Sequence, residues 1–194
     1  GLDSGAFTLN QRYYCGGIWN GTRLGDRERK DWIANTDQRQ HGSITLSQAL
    51  TGSCNIYMWH IAWSLNGSDP NTLIDHALRM GFGAPTGIRD IAEAPGYIPN
   101  PATYPQVAGR AWRGSDALNA AIGQGDIVVS PLQIARMVAA VANDGTLYQP
   151  LLVREVGIIG APSYTAEPIA NGQLTFKPGV LQGIRAAMCA VMTD

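Results

Sequence analysis

The sequence predicts an α+β fold that is mainly helical, with a few short strands. Three observations carry that reading. Four segments space apolar residues as helices do: Ile56 to Leu65, Leu73 to Leu78, Leu132 to Val141 and Val180 to Val191. One run, Leu151 to Ile159, is rich in β-formers and reads as one or two short strands. The stretches between them are punctuated by glycine, proline and asparagine and hold no period.

Composition bounds the function. With 194 residues, 45% hydrophobic and 15% charged, the chain can bury one sizeable core, and residues 1–194 read as one domain or part of one. A formal charge of -1 supplies no basic field for a phosphate backbone, so nucleic acid is not an expected partner. No apolar run reaches the roughly eighteen residues of a membrane span. No charged leader precedes a short apolar core either, so any membrane anchor is expected outside this chain. Cys15, Cys54 and Cys189 are widely spaced and show no metal-ligand spacing with His41, His60 or His76. No metal and no cofactor are expected. At most one disulfide can form, and Cys54 is expected to pack as a small apolar residue.

Taken in order, Gly1 to Gly5 resembles the tail of an interrupted helix ending on a glycine. Phe7 to Gln40 reads as irregular structure with short extended pieces, and the sign-alternating run Arg27-Glu28-Arg29-Lys30-Asp31 as a solvated surface loop. His41 to Asn55 reads as a short helix running into a sharp break. Thr45 is its N-cap, Gln48 closes a capping box, and Ile44 with Ala49 forms a hydrophobic staple. Ser53 would cap the next helix. Asp69-Pro70 opens a helix that stops at Gly81. Glu93 to Gln106 carries Pro95, Pro99, Pro101 and Pro105 and reads as a long surface loop bordering a site. Ser130-Pro131-Leu132-Gln133 is a second capping box, and the apolar helix after it, to Asn143, is expected at the domain centre. A last helix runs from Pro178, with Val180, Ile184, Met188 and Val191 on one face. Gly81-Phe82-Gly83 and Gly123-Gln124-Gly125 both contain Gly-x-Gly, but neither has the strand-to-helix setting of a nucleotide loop.

His41-Gly-Ser-Ile-Thr-Leu-Ser-Gln-Ala-Leu-Thr-Gly-Ser-Cys-Asn55 resembles the segment around the Ser-x-Asn motif of penicillin-binding transpeptidase domains. Further blocks resemble successive landmarks of that family in the same order. These are Gly81-Phe-Gly with Thr86-Gly-Ile, Ala121-Ile-Gly-Gln-Gly followed by Ser130-Pro-Leu-Gln, and Ala142-Asn-Asp-Gly-Thr-Leu-Tyr-Gln-Pro. The likeness runs from Gly1 to Met192. It implies the helical lobe of the penicillin-binding and serine β-lactamase-like fold. It also implies a serine acyl transfer that cross-links peptidoglycan stem peptides ending in D-Ala-D-Ala, with β-lactams acylating the same serine.

Three motifs make such a site, and one is present here. Ser53 and Asn55 match the Ser-x-Asn motif; by resemblance Ser53 joins a proton-transfer network and Asn55 holds the lysine and the substrate amide. Gly123, Gln124 and Gly125 would shape the substrate side. The other two motifs are missing: Arg27 precedes Lys30 and Leu174 precedes Lys177 at the serine position of Ser-x-x-Lys, and Lys177-Pro178-Gly179 is not Lys-Thr-Gly. The resemblance therefore implies a partial transpeptidase domain, without the nucleophile and most of the sheet, inactive by itself and prone to self-association. Its place would be the extracytoplasmic face of a bacterial membrane. A β-lactam-binding sensor without turnover and a β-lactamase-like hydrolase are the alternative readings.

Overall fold

The computed structural model describes residues 1–22, 25–89 and 91–193. The expectations for Arg23, Leu24 and Asp194 lie outside the described residues. In chain order the elements begin with β1 (Arg12–Cys15), β2 (Ile18–Asn20), β3 (Glu28–Lys30), a 3-10 turn (Trp32–Asn35) and β4 (Gly42–Thr45). Helices α1 (Leu46–Thr51), α2 (Asn55–Ser68), α3 (Thr72–Arg79), α4 (Tyr104–Ala108), α5 (Gly114–Ala120) and α6 (Pro131–Ala142) follow. Strands β5 (Thr146–Tyr148), β6 (Glu155–Ile158), β7 (Ala161–Thr165) and β8 (Ala170–Gln173) precede the last helix, α7 (Val180–Ala190). The chain divides into two compact units, one of residues 1–75, 99–127 and 176–194, the other of residues 76–98 and 128–175.

The first unit is built around α2. Its buried side chains Ile56, Tyr57, Trp59, Ala62 and Leu65 point to most of the helix circumference, so the helix has no solvent stripe and must sit inside. Leu118 of α5, Leu46 and Ala49 of α1, Cys15 and Trp19 surround it in one apolar cluster. Each large side chain so buried stabilises the fold by about 1.5–3 kcal/mol. Tyr57 is fully buried, and its hydroxyl donates to the Gln11 carbonyl at 2.7 Å, which satisfies its polar tip. Two antiparallel pairs, β1 with β4 and β2 with β3, belong to the same unit.

The Thr45 capping box forms as expected: the Gln48 amide donates to Thr45 Oγ1 at 3.2 Å, and Thr45 N–H donates to Gln48 Oε1 at 3.0 Å. Gly42 to Thr45, read as part of the helical stretch, is strand β4 instead, because its backbone pairs with β1 in register Tyr13 to Ile44. The helix expected to start at Pro70 starts at Thr72, since Asp69 closes α2 and spends its carboxylate on the Asn71 amide. The charged run at 27–31 is not a solvated loop. It forms β3, and strand alternation turns Arg29 inward to 9% exposure and leads to Asp31 at 0%. On α7 the expected apolar face is largely covered: Val180 is buried, Ile184 and Met188 are half-buried, and Val191 stays exposed.

The second unit packs α6 against a pair formed by β5 and β8, beside the β6–β7 hairpin. The Ser130 capping box and Pro131 at the first turn are as read. The placement of α6 at the domain centre is not. Ile134 and Val138 are exposed, and Gln133 is the buried residue of its first turn. Gln133 closes the capping box with Oε1, while Nε2 donates to the carbonyls of Ala84 at 2.7 Å and Pro95 at 2.9 Å. A buried amide with all its partners avoids the penalty of an unsatisfied polar group and holds two loops at once. The proline-rich stretch is not wholly irregular either. Tyr97 and Val128 exchange backbone hydrogen bonds at 2.7 and 2.8 Å, and α4 starts with Pro105 in its first turn, where a missing N–H is no loss.

Candidate functional site

The break between α1 and α2 holds the Ser53-Cys54-Asn55 motif, and it is fastened through the backbone alone. Gly52 N–H donates to Gln48 O at 2.8 Å and Cys54 N–H to Ala49 O at 2.9 Å, closing α1. Ser53 then takes φ 51, in the left-handed region that a non-glycine residue visits at a cost of about 1–2 kcal/mol. Trp32 Nε1 donates to the Ser53 carbonyl at 3.0 Å and holds that conformation. Ser53 does not cap α2, as its position had suggested. The N-cap is Cys54, which makes no side-chain cap bond.

The cap comes from elsewhere. Asp31 Oδ2 accepts from the Asn55 amide at 2.8 Å and the Ile56 amide at 3.3 Å, while Oδ1 accepts from Ile33 N–H at 3.3 Å. A carboxylate at a helix N-terminus satisfies orphan N–H groups and meets the positive end of the helix dipole. Asp31 thus fixes the motif without touching either of its polar side chains. Neither Ser53 nor Asn55 has a side-chain hydrogen bond among the described residues, and Ser53 is exposed, so both remain available to a ligand.

Asp31 also lies 3.7 Å from His41 Nε2, a buried nitrogen with no hydrogen-bond partner. Donor atoms of Asp31, His41 and Cys54 come within 4.8 Å of one another. Sequence spacing had shown no such group, because its members arrive from the 3-10 turn, the approach to β4 and the helix break. The Cys54 thiol is pushed up by its hydrogen bond with Cys15 and by burial, which makes it a poor nucleophile at neutral pH. No serine hydroxyl among the described residues hydrogen-bonds a lysine, and the Ser53 hydroxyl has no hydrogen-bond partner among them.

A cleft of about 320 Å³ opens beside the motif in the first unit, lined by Asn55, Trp59, Asn119, Ile122, Gln124 and residues 27–30. The structure therefore brings Asn55 and Gln124 to one place. Ser53, Gly123 and Gly125 do not line it. The two glycines act through the backbone, at φ 71 and φ 79, and form the turn that presents Gln124. The Gln124 amide donates to Asn119 O at 2.9 Å, and Tyr104 hydrogen-bonds Asp126 just beyond. That bond to Asp126 pushes the Tyr104 phenol up to about 12.

The cleft wall is residue 29, which sequence reasoning placed in solvent. Arg29 Nε pairs with Asp26 at 2.8 Å, its guanidinium donates to Asn119 Oδ1 at 2.7 Å, and it stacks 5.8 Å from the centre of the Trp59 ring. The signal that could have found it is the period of two: Arg29 and Asp31 alternate with Glu28 and Lys30, as strand residues do.

Comparison with known proteins finds relatives over the whole chain. The family profile described as penicillin binding protein transpeptidase domain matches residues 1–194. The peptidoglycan D,D-transpeptidase MrdA of Acinetobacter baumannii is 28% identical over 147 residues, covering 76% of this chain and 20% of that protein. Penicillin-binding protein 2A of Bacillus subtilis is 26% identical over 212 residues, covering 100% of this chain and 27% of its own length. The chain thus spans about a fifth to a quarter of these relatives. Among solved structures, Pseudomonas aeruginosa PBP2 in complex with WCK 5153 shares the fold, with a TM-score of 0.78 at 24% identity over 96% of this chain and 38% of that one. The match in sequence extends over every residue, and the fold agrees: the chain belongs to the penicillin binding protein transpeptidase domain family.

Proposed function

We propose that this chain is part of a peptidoglycan D,D-transpeptidase and supplies one wall of its active site. The observation that supports the reading is the Ser53–Asn55 break, held rigid by Asp31 and Trp32 while both polar side chains stay uncommitted. The nucleophilic serine with its lysine, and the opposing strand, come from outside these 194 residues. In the reaction the serine attacks the carbonyl of the penultimate D-alanine, D-alanine leaves with a proton, and an amine of a neighbouring stem peptide takes the acyl group. Ser53 relays the proton between lysine and leaving group, and Asn55 holds the substrate amide. The work is done on the extracytoplasmic side of the membrane, where the stem peptides are. Among the described residues no helix is long and apolar enough to cross a membrane.

The test is acylation of the longer protein by a labelled penicillin. Ser53→Ala and Asn55→Ala slow it by roughly 10²–10⁴-fold, the range of positioned proton-transfer groups, with an unchanged melting temperature. Residues 1–194 alone take no label. Unaltered acylation in both variants, or stoichiometric labelling of the isolated chain, sinks the reading.

A further inference from the structure

We infer that the cleft beside Asn55 is a carboxylate subsite, in which Arg27 and Lys30 receive an acidic group carried by the peptide substrate. The inference rests on the transpeptidase reading for the identity of the peptide, and on the cleft itself for the charge. Three cations line it, and they differ. Arg29 is buried and its charge is spent on Asp26 and Asn119, so it builds the wall. The side chains of Arg27 and Lys30 are exposed and have no hydrogen bond or ion pair among the described residues. Glu28 is the one carboxylate in the lining, so the two free cations outnumber it.

Two further groups point the same way. The carboxamides of Asn55 and Gln124 line the same cleft and have no side-chain partner, and amide N–H donors with adjacent cations suit a carboxylate better than any apolar or cationic group. Asn55 also ties the cleft to the chemistry. Asn55 shares the cleft lining with Arg27 and Lys30, so a peptide held there that bears a carboxylate gains charge-assisted hydrogen bonds that its amidated counterpart lacks.

The experiment uses the longer protein and two D-Ala-D-Ala peptides, one with a free carboxylate on the residue preceding the terminal pair and one with that group as carboxamide. The ratio of their kcat/KM values is measured for the native protein, for Arg27→Gln with Lys30→Gln, and for Arg27→Glu with Lys30→Glu. The native protein favours the carboxylate peptide by about tenfold, through KM, and the preference shrinks as salt rises. The double glutamine variant loses the preference, and the charge reversal inverts it. Melting temperatures within a few degrees of native show that the variants fold. No preference in the native protein, or one that survives the double glutamine substitution, overturns the inference while leaving the transpeptidase reading intact. If neither peptide is turned over, that reading fails, and fluorescence polarisation of the two peptides decides the cleft separately, equal affinities overturning it.

Discussion

Asp31 shows how one side chain can organise a site it does not enter. Both of its oxygens are used as acceptors, for three backbone N–H groups of two different segments. Asp31→Ala strands the Asn55 and Ile56 donors at a buried helix start and is expected to cost about 2 kcal/mol, read by denaturant titration. Asp31→Asn recovers most of it, because its remaining oxygen can still accept from the Asn55 and Ile56 amides while its nitrogen faces only the Ile33 N–H. Full stability in the asparagine variant would show that one of these bonds is not made. Glu93 gives a residue-scale prediction for pH. Burial works to raise it, but the Thr86 hydroxyl and the amides of Thr86, Gly87 and Ile88 outweigh burial and hold the carboxyl below its ordinary value of 4.5. The unfolded chain therefore takes up this proton at higher pH than the folded one. The stabilising contribution is complete above pH 4.5 and fades as the pH falls through the lowered folded value. Acid titration of the native chain against Glu93→Gln should show the difference only in that range, with the variant flatter.

At the scale of elements, two helices exchange the roles that their composition suggests. α6 looked like the central helix because its apolar residues leave little polar face, yet the structure buries Gln133 and exposes Ile134 and Val138. α2 takes the centre because its bulky residues are distributed around the helix and meet α1 and α5 on different sides. Gln133→Leu tests the point. A helix merely seeking apolar cover would gain from leucine, whereas here two carbonyls and a capping box lose their partner. The expected result is a loss of about 2–3 kcal/mol in the second unit, with hydrogen exchange quickened at Ser130. A neutral or stabilising substitution would mean that water replaces the amide.

On the scale of the molecule, apolar surface remains exposed, but little of it lies on the terminal helix. Most of α7 is covered, and the β6–β7 hairpin instead carries Ile158 at 79% and Ile159 at 102% exposure, with Val156 and Tyr164 about half exposed. Unpartnered strand edges with such side chains associate readily. Residues 1–194 as an isolated chain should therefore bind a hydrophobic dye and sediment above monomer mass at high concentration. Ile158→Ser with Ile159→Ser should reduce both signals, while a trimmed α7 should not. Equal effects from the two changes would return the sticky surface to the C-terminal helix.

Local chemistry alone determined the two capping boxes and the helical segments. Each depends on residues within four positions of one another, and Thr45 with Gln48 or Ser130 with Gln133 satisfy the same N–H groups in any surroundings. The family was legible for a related reason, since its landmarks are short blocks in a fixed order. The strand pairs were not legible, because β1 with β4 and β2 with β3 are matched across loops rather than by period. Half of the candidate site belongs to that second kind. Asn55 and Gln124 were named from the sequence, but their common cleft, the buried Arg29 wall and the Asp31 cap needed β3 to be brought beneath α2. No spacing encodes that placement: a buried charge is tolerable only where a distant partner meets it, and the partner is supplied by the tertiary structure.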